Sequence, residues 1–270
     1  MGVIVRGAQS LQRQWNRWRG AFSTFMETLD KRQVPYLSHS KIATVQRCQK
    51  CYYSQYILGE KLSSDALTTG TLFHRAAATL YNAISSGRRL THPAIGKQLR
   101  PKHPNPQDRQ ALKNAIKTLR LNAWHGHDVV AVEEPFFMDL APGLPPVIGV
   151  VDLILKQGDS YTVVDHKTSG RFGDPDPDQL VLYAEHVKRS YGVRSCVGAF
   201  DEYRLVPDLA TVRKAVFRRT PVSVEASRVP ELIRNYRCGW KLITKIHRDG
   251  GATPSADCWI CNSWQYQSSW

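Results

Sequence analysis

Two aspartates and a lysine stand close together in Gly149-Val-Val-Asp152-Leu-Ile-Leu-Lys-Gln-Gly-Asp-Ser-Tyr-Thr-Val-Val-Asp165-His-Lys167. The runs Val147 to Leu155 and Tyr161 to Val164 are rich in β-branched residues, and Gly158-Asp159 between them is a two-residue hairpin signal. A turn centred there sets Asp152 directly opposite Asp165. Lys167 follows Asp165 by two residues, so it shares that face. Like charges facing each other weaken a hairpin unless something positive lies between them. A divalent cation and a lysine meet that need, and together they suit cleavage of a phosphodiester. Taken singly, each aspartate also reads as an ordinary edge or turn residue.

The flanks add further polar groups. Upstream, Gly70-Thr-Leu-Phe-His74 lies in a stretch whose apolar spacing predicts an amphipathic helix carrying His74. Downstream, Asp174-Pro-Asp176-Pro177-Asp178-Gln179-Leu-Val-Leu-Tyr183 reads as a helix start. Asp176 is the N-cap candidate, Pro177 suits the first helical position, and the acids favour the positive end of the helix. Gln179 and Tyr183 are four apart and project from one face. A lone helix histidine is commonly a surface or core residue, and a Gln/Tyr pair commonly a polar helix edge. The ordered set is more specific than its members.

That order, Gly-x-x-x-His, Gly-x-x-Asp, Asp-x-Lys and Gln-x-x-x-Tyr, resembles the RecB-type nucleases of the PD-(D/E)XK superfamily, which include CRISPR-adaptation nucleases and phage and mitochondrial exonucleases. Leu37 to Cys48 is similar to the opening helix of that family, and Glu133-Glu134-Pro-Phe to its first core strand. The resemblance implies that His74, Asp152, Asp165 and the main-chain carbonyl of His166 hold Mg²⁺ or Mn²⁺. It implies that Lys167 orients or deprotonates the attacking water, and that Gln179 and Tyr183 position the scissile strand. Hard cations favour such oxygen-rich donor sets. Either Glu133 or Glu134 lies near the metal, since strand parity admits only one to that face.

Six cysteines are present, four of them in two C-x-x-C pairs, Cys48/Cys51 and Cys258/Cys261. Two such pairs brought together make a four-thiolate site that clips the two ends of the domain. The resemblance implies a [4Fe–4S] cluster, but relatives use one cysteine before the core and three after it, and no third cysteine follows Cys261 here. Structural Zn²⁺ is the alternative, since two-plus-two spacing is also a zinc pattern.

The 270 residues carry a net charge of +14, which favours a polyanionic partner. The acid-poor stretch from Arg88 to His103, with Arg88, Arg89, Lys97, Arg100 and Lys102, reads as a basic loop on the DNA path or as a solvated linker. Residues 1–34 read as a separate basic, aromatic extension, an amphipathic helix or else a mitochondrial-type transit segment. Paired thiols point to the cytoplasm or another reducing compartment. No stretch approaches the length of a membrane span.

The apolar periodicity predicts helices near 38–58, 66–86, 106–123, 177–190 and 228–248. Strands are predicted near 129–139, 147–156, 160–166 and 194–204. A basic strand or loop with one charged face follows to about 224. This order implies an α/β fold: a PD-(D/E)XK restriction-endonuclease-like core over about 66–224, its central mixed sheet flanked by helices, within a nuclease domain of 35–270 that carries a helical insert. Two function classes follow. The first is a metal-dependent DNA exonuclease or end-processing nuclease acting in replication, recombination or repair on DNA ends or single strands. The second is a non-cutting DNA-end-binding or assembly subunit. No P-loop is present, so a helicase or recombinase partner would supply any unwinding.

Overall fold

A computed structural model describes residues 25, 27, 29, 35–60, 65–88, 105–211, 214–256, 258 and 261. Of the basic loop residues expected to meet DNA, Arg88 is described and exposed, whereas Arg89, Lys97, Arg100 and Lys102 lie outside the described residues. Most of the 1–34 extension lies outside them as well. Within it, Phe25 and Leu29 are helical and buried, and the Phe25 ring meets Phe137 edge-on at 5.7 Å.

Six α-helices and five strands follow among the described residues. They are α1 (His39–Arg47), α2 (Gln49–Tyr52), α3 (Asp65–Ser85), α4 (Pro106–Leu121), β1 (Asp128–Met138), β2 (Val147–Gln157), β3 (Ser160–Ser169), α5 (Asp178–Tyr191), β4 (Cys196–Arg204), β5 (Phe217–Val222) and α6 (Val229–Asp249). The strands form one mixed sheet in the order β1-β2-β3-β4-β5. β2 pairs antiparallel with β3, β3 parallel with β4, and β4 antiparallel with β5. The α/β fold expected from the sequence is therefore present.

The chain divides into two compact units. One comprises Ser63–Glu134 and Val150–Arg228. Its core joins Phe73, Leu80 and Tyr81 of α3 to Leu112, Ile116 and Leu119 of α4, with Leu153, Leu155, Val164 and Tyr203 from the sheet. These residues recur at helical spacing on α3 and α4 and at every second position on β2, as burial of one face requires. The β2–β3 register is the one the hairpin signal predicts, with Leu153 opposite Val164 and Gln157 opposite Ser160. Gly158 opens the turn at φ +58°, a backbone conformation that glycine adopts without strain.

Helix α5 starts one residue later than the sequence predicts: Pro177, not Asp176, is the N-cap, and the first helical residue is Asp178. The Asp176 carboxylate accepts a hydrogen bond from the Asp178 N–H at 3.0 Å, and the Pro177 carbonyl accepts from Leu180 and Val181. The helix ends on Gly192 in the left-handed conformation. The charged run before residue 224 does form a strand, but it is not one with a single charged face. Arg218 and Arg219 are adjacent and so point to opposite faces of β5. Arg218 pairs with Glu202 at 2.6 Å. Arg219 grips the fully buried Asp201 through Nε at 2.7 Å and Nη2 at 2.8 Å. Both arginines neutralise buried acids of β4.

The other unit comprises Met1–Leu62, Pro135–Gly149 and Val229–Trp270. Here α1 packs on α6, where Gly239 lets Ile42 approach; a Cβ there would lie 2.7 Å from Ile42 Cδ1. The single helix expected over 38–58 is broken at Cys48, whose extended backbone (φ −160°, ψ 114°) separates α1 from α2, and a π-helical turn over Tyr53–Ile57 follows. The motif glycine Gly149 also has a steric reason in this unit. The fully buried Phe136 ring lies 2.6 Å from the position a Cβ would occupy there.

Candidate active site and cysteine centre

Strand β3 presents its residues to two different surroundings. Asp165 and Lys167 share one face, and His166 between them turns to the other. The His166 ring is buried beside Phe73 and Tyr203 and stacks on Tyr81 at 5.8 Å. Neither ring nitrogen has a hydrogen-bond partner among the described residues. Burial holds its pKa below the ordinary histidine value, so the ring is a neutral part of the wall. Its main chain acts differently: the His166 N–H donates to Asp152 Oδ2 at 2.8 Å.

Asp165, Lys167, Gln179 and Tyr183 form a closed polar set. Lys167 Nζ lies 2.8 Å from Asp165 Oδ2 and donates to Gln179 Oε1 at 2.8 Å. Gln179 Nε2 donates to Asp165 Oδ1 at 2.6 Å and to the Tyr183 hydroxyl at 2.8 Å. The four-residue spacing on α5 thus sets an amide against the carboxylate of the neighbouring strand. The Gln179 amide is oriented from both ends, so it fixes Lys167 and Asp165 together.

Beside this set lies a second group of donors. His74 Nδ1 on α3 is 3.4 Å from Asp152 Oδ2 and 3.9 Å from Glu133 Oε1. Ligand atoms of His74, Glu133 and Asp152 all lie within 4.8 Å of one another, close enough to share one cation. One imidazole with carboxylates is a donor set that Mg²⁺ tolerates and Mn²⁺ suits. Asp165 stands outside this trio, its oxygens engaged by Lys167 and Gln179.

Sequence parity left Glu133 and Glu134 open, and the backbone separates them. Glu133 has φ +50°, the one left-handed non-glycine residue among those described. Such a residue breaks strand alternation and stores strain of roughly 1–3 kcal/mol, commonly at functional sites. Glu134 is anchored instead: the Tyr191 hydroxyl donates to its Oε2 at 3.0 Å, and His186 Nε2 lies 3.4 Å from its Oε1. With Glu134 tied to α5, Glu133 is left at His74 and Asp152.

The electrostatics fit a site short of positive charge. Burial works against a charged His74, yet Asp152, Asp165 and Glu133 more than offset it and lift its pKa to about 9. Burial and then Asp152 push the Glu133 carboxyl up to about 7. The same two causes raise Asp165 to about 6, with Lys167 opposing them. Asp152 moves the other way: burial would raise it, but His74 and the His166 N–H hold it below the ordinary carboxylate range. Three carboxylates are therefore crowded around one imidazolium and one ammonium. A cleft of about 660 Å³ opens onto the site, lined by Gly70, His74, Arg75, Glu133, Lys167 and Thr168 among others. Arg75 had no sequence signal beyond its place after His74.

The four C-x-x-C cysteines also converge, within the unit of α1, α2 and α6. Sγ–Sγ separations are 3.4 Å for Cys51–Cys258, 3.6 Å for Cys48–Cys261 and 3.6 Å for Cys51–Cys261. Burial disfavours a Cys48 thiolate, but the N–H groups of Ser255 and Cys51 and the neighbouring thiols overcome this and lower its pKa to about 6. Burial pushes the Cys261 thiol up to about 11. This cluster is suited to holding a metal. Cys196 is half-buried and Cys238 exposed, apart from the cluster.

Comparison with known proteins shows the family and the fold. The sequence model of the PD-(D/E)XK nuclease superfamily matches residues 36–266. The crystal structure of a "putative exonuclease" from Eubacterium rectale is similar in fold, with a TM-score of 0.52 at 12% identity, covering 86% of this chain and 89% of that one. The structure of SSO0001 aligns over 64% of this chain and 74% of its own, at 13% identity and a TM-score of 0.33. No curated protein matches the sequence.

Proposed function

Since the chain belongs to the PD-(D/E)XK nuclease superfamily, we propose that it is a divalent-metal-dependent deoxyribonuclease, an exonuclease or end-processing enzyme that leaves a 5′-phosphate and a 3′-hydroxyl. The observation that carries the reading is the closed set Asp165–Lys167–Gln179–Tyr183 standing beside the His74–Glu133–Asp152 donors. A fold retained only for binding has no need to keep both halves.

His74, Glu133 and Asp152 would hold Mg²⁺ or Mn²⁺, joined by Asp165 and the His166 carbonyl as its further oxygen donors. When bound, the cation supplies Lewis acidity to the phosphoryl oxygens and lowers the pKa of water. The protein's own groups do the rest. Lys167, as an ammonium, would orient the attacking water by donating a hydrogen bond to its oxygen and offset charge as the phosphorus becomes five-coordinate, while the water's proton passes to bulk solvent. Gln179 keeps the ammonium aimed by accepting its hydrogen bond, and Tyr183 keeps Gln179 from rotating. Arg75 and Arg88, both exposed, meet phosphates without reading bases. Among the described residues no helix is long and apolar enough to cross a membrane.

Incubation of end-labelled single- and double-stranded DNA with Mg²⁺ or Mn²⁺ tests the reading. A ladder or mononucleotide product carrying 5′-phosphate supports it and gives the polarity. Products bearing 3′-phosphate would refute the chemistry proposed for Lys167.

A further inference from the structure

The structure assigns Cys48, Cys51, Cys258 and Cys261 to a single tetrahedrally held zinc ion, in place of the four-iron cluster that the family resemblance implies. Sulfur spacing carries the assignment. Four thiolates at the zinc–sulfur distance of about 2.3 Å in a tetrahedron lie about 3.8 Å from one another. The thiols here stand at 3.4 to 3.6 Å in three pairs, and ligand atoms of all four lie within 4.8 Å. A cubane is different: each thiolate sits on its own iron and points outward, so the four sulfurs must stand roughly 6 Å apart. Four thiols this close leave no room for a body of four irons and four sulfides between them.

Local backbone supports a compact ion site. The break at Cys48 aims its sulfur and that of Cys51 to one point, three residues apart. Across from them, the Cys258 N–H donates to the Ser255 carbonyl at 3.1 Å, which tightens the turn carrying the second pair. The Ser255 N–H donates to Cys48 Sγ at 3.4 Å, and its hydroxyl to the Arg47 carbonyl at 3.0 Å. An N–H directed at a ligand sulfur offsets thiolate charge that a dipositive ion leaves over. The ion joins the end of α1 to the segment after α6. Zinc has no redox chemistry, so oxidation that dismantles an iron–sulfur cluster finds no cluster to attack here.

The test uses the full chain, produced in medium containing both iron and zinc, and reads metal and acid-labile sulfide. The expected result is about one zinc per chain that resists a weak chelator, with no labile sulfide. Exchange for Co²⁺ then gives the intense visible bands and thiolate charge-transfer absorption of a tetrahedral sulfur site, which the His74–Glu133–Asp152 donors cannot produce. Cys258→Ser weakens and shifts those bands, since three thiolates remain, and Cys238→Ser keeps them unchanged. The wild-type stoichiometry and spectrum decide the matter even where Cys258→Ser fails to fold. Iron with labile sulfide, iron alone, or a folded chain that takes up neither zinc nor cobalt through its thiols overturns the assignment.

Discussion

Replacing Glu133 by glutamine keeps the size of the side chain and removes its charge. Glu133 Oε1 lies 3.9 Å from His74 Nδ1 in the donor group shared with Asp152, and its side chain is 41% exposed. A coordinating carboxylate oxygen stands about 2.1 Å from the cation, where a unit charge on a dication is worth about 4 kcal/mol at the dielectric of water, the lower limit for this half-exposed group. That corresponds to about 10³-fold in affinity. The backbone strain at φ +50° stays in both proteins, so it cancels from the comparison. Cleavage of labelled DNA is to be measured across a Mn²⁺ titration, with direct Mn²⁺ binding by calorimetry. E133Q should need about 10³-fold more Mn²⁺ for half-maximal rate and approach the wild-type rate at saturation. Glu134→Gln, which loosens the anchor to His186 and Tyr191, should lower thermal stability more than metal affinity. An unchanged Mn²⁺ requirement in E133Q would refute the assignment of Glu133 to the cation.

Three further outcomes are expected. Lys167→Met should lower cleavage by about 10²–10⁴-fold with thermal stability and metal binding nearly intact, and retained cleavage would remove Lys167 from the chemistry. The metal-free protein should lose stability between pH 5 and pH 9. Asp165, Glu133 and His74 all bind protons more tightly folded than unfolded, so their contributions are full below their unfolded pKa values and are lost as pH rises through about 6, 7 and 9 respectively. The depressed Asp152 has the opposite sign, but its contribution is complete above the ordinary carboxylate range. Melting curves across this range should therefore fall without metal and recover with Mn²⁺ above pH 7; a flat profile contradicts the crowded carboxylates. Gly149→Ala places a methyl group 2.6 Å from the buried Phe136 ring and should cost about 1–3 kcal/mol, read as a melting temperature lower by several degrees.

Periodicity made most of the fold legible. The Gly158-Asp159 turn fixed the hairpin register, and with it the face shared by Asp165 and Lys167. Asp176-Pro177 marked the start of α5 and hence the placement of Gln179 and Tyr183 beside that face. Glu133 was not resolvable because a single left-handed residue interrupts the alternation on which parity depends, and no local sequence signal marks it. The opposite orientations of Arg218 and Arg219 escaped because their partners, Glu202 and Asp201, come from another strand. The break at Cys48 also left no trace in propensity; it is visible only once the second cysteine pair is placed against the first. Asp165 shows a different limit. Sequence identifies it as a carboxylate of the site, while its engagement with Lys167 and Gln179 rather than with the His74 trio is a matter of ångströms.

The most direct test of the central claim compares wild type with Asp165→Asn on end-labelled DNA, with and without Mn²⁺, measuring cleavage and DNA binding on the same samples. The account predicts Mn²⁺-dependent cleavage by the wild type, and an Asp165→Asn protein that is folded and binds DNA but does not cut. Cleavage that survives Asp165→Asn, or a folded, Mn²⁺-loaded wild type that binds DNA without cutting any end, would contradict it.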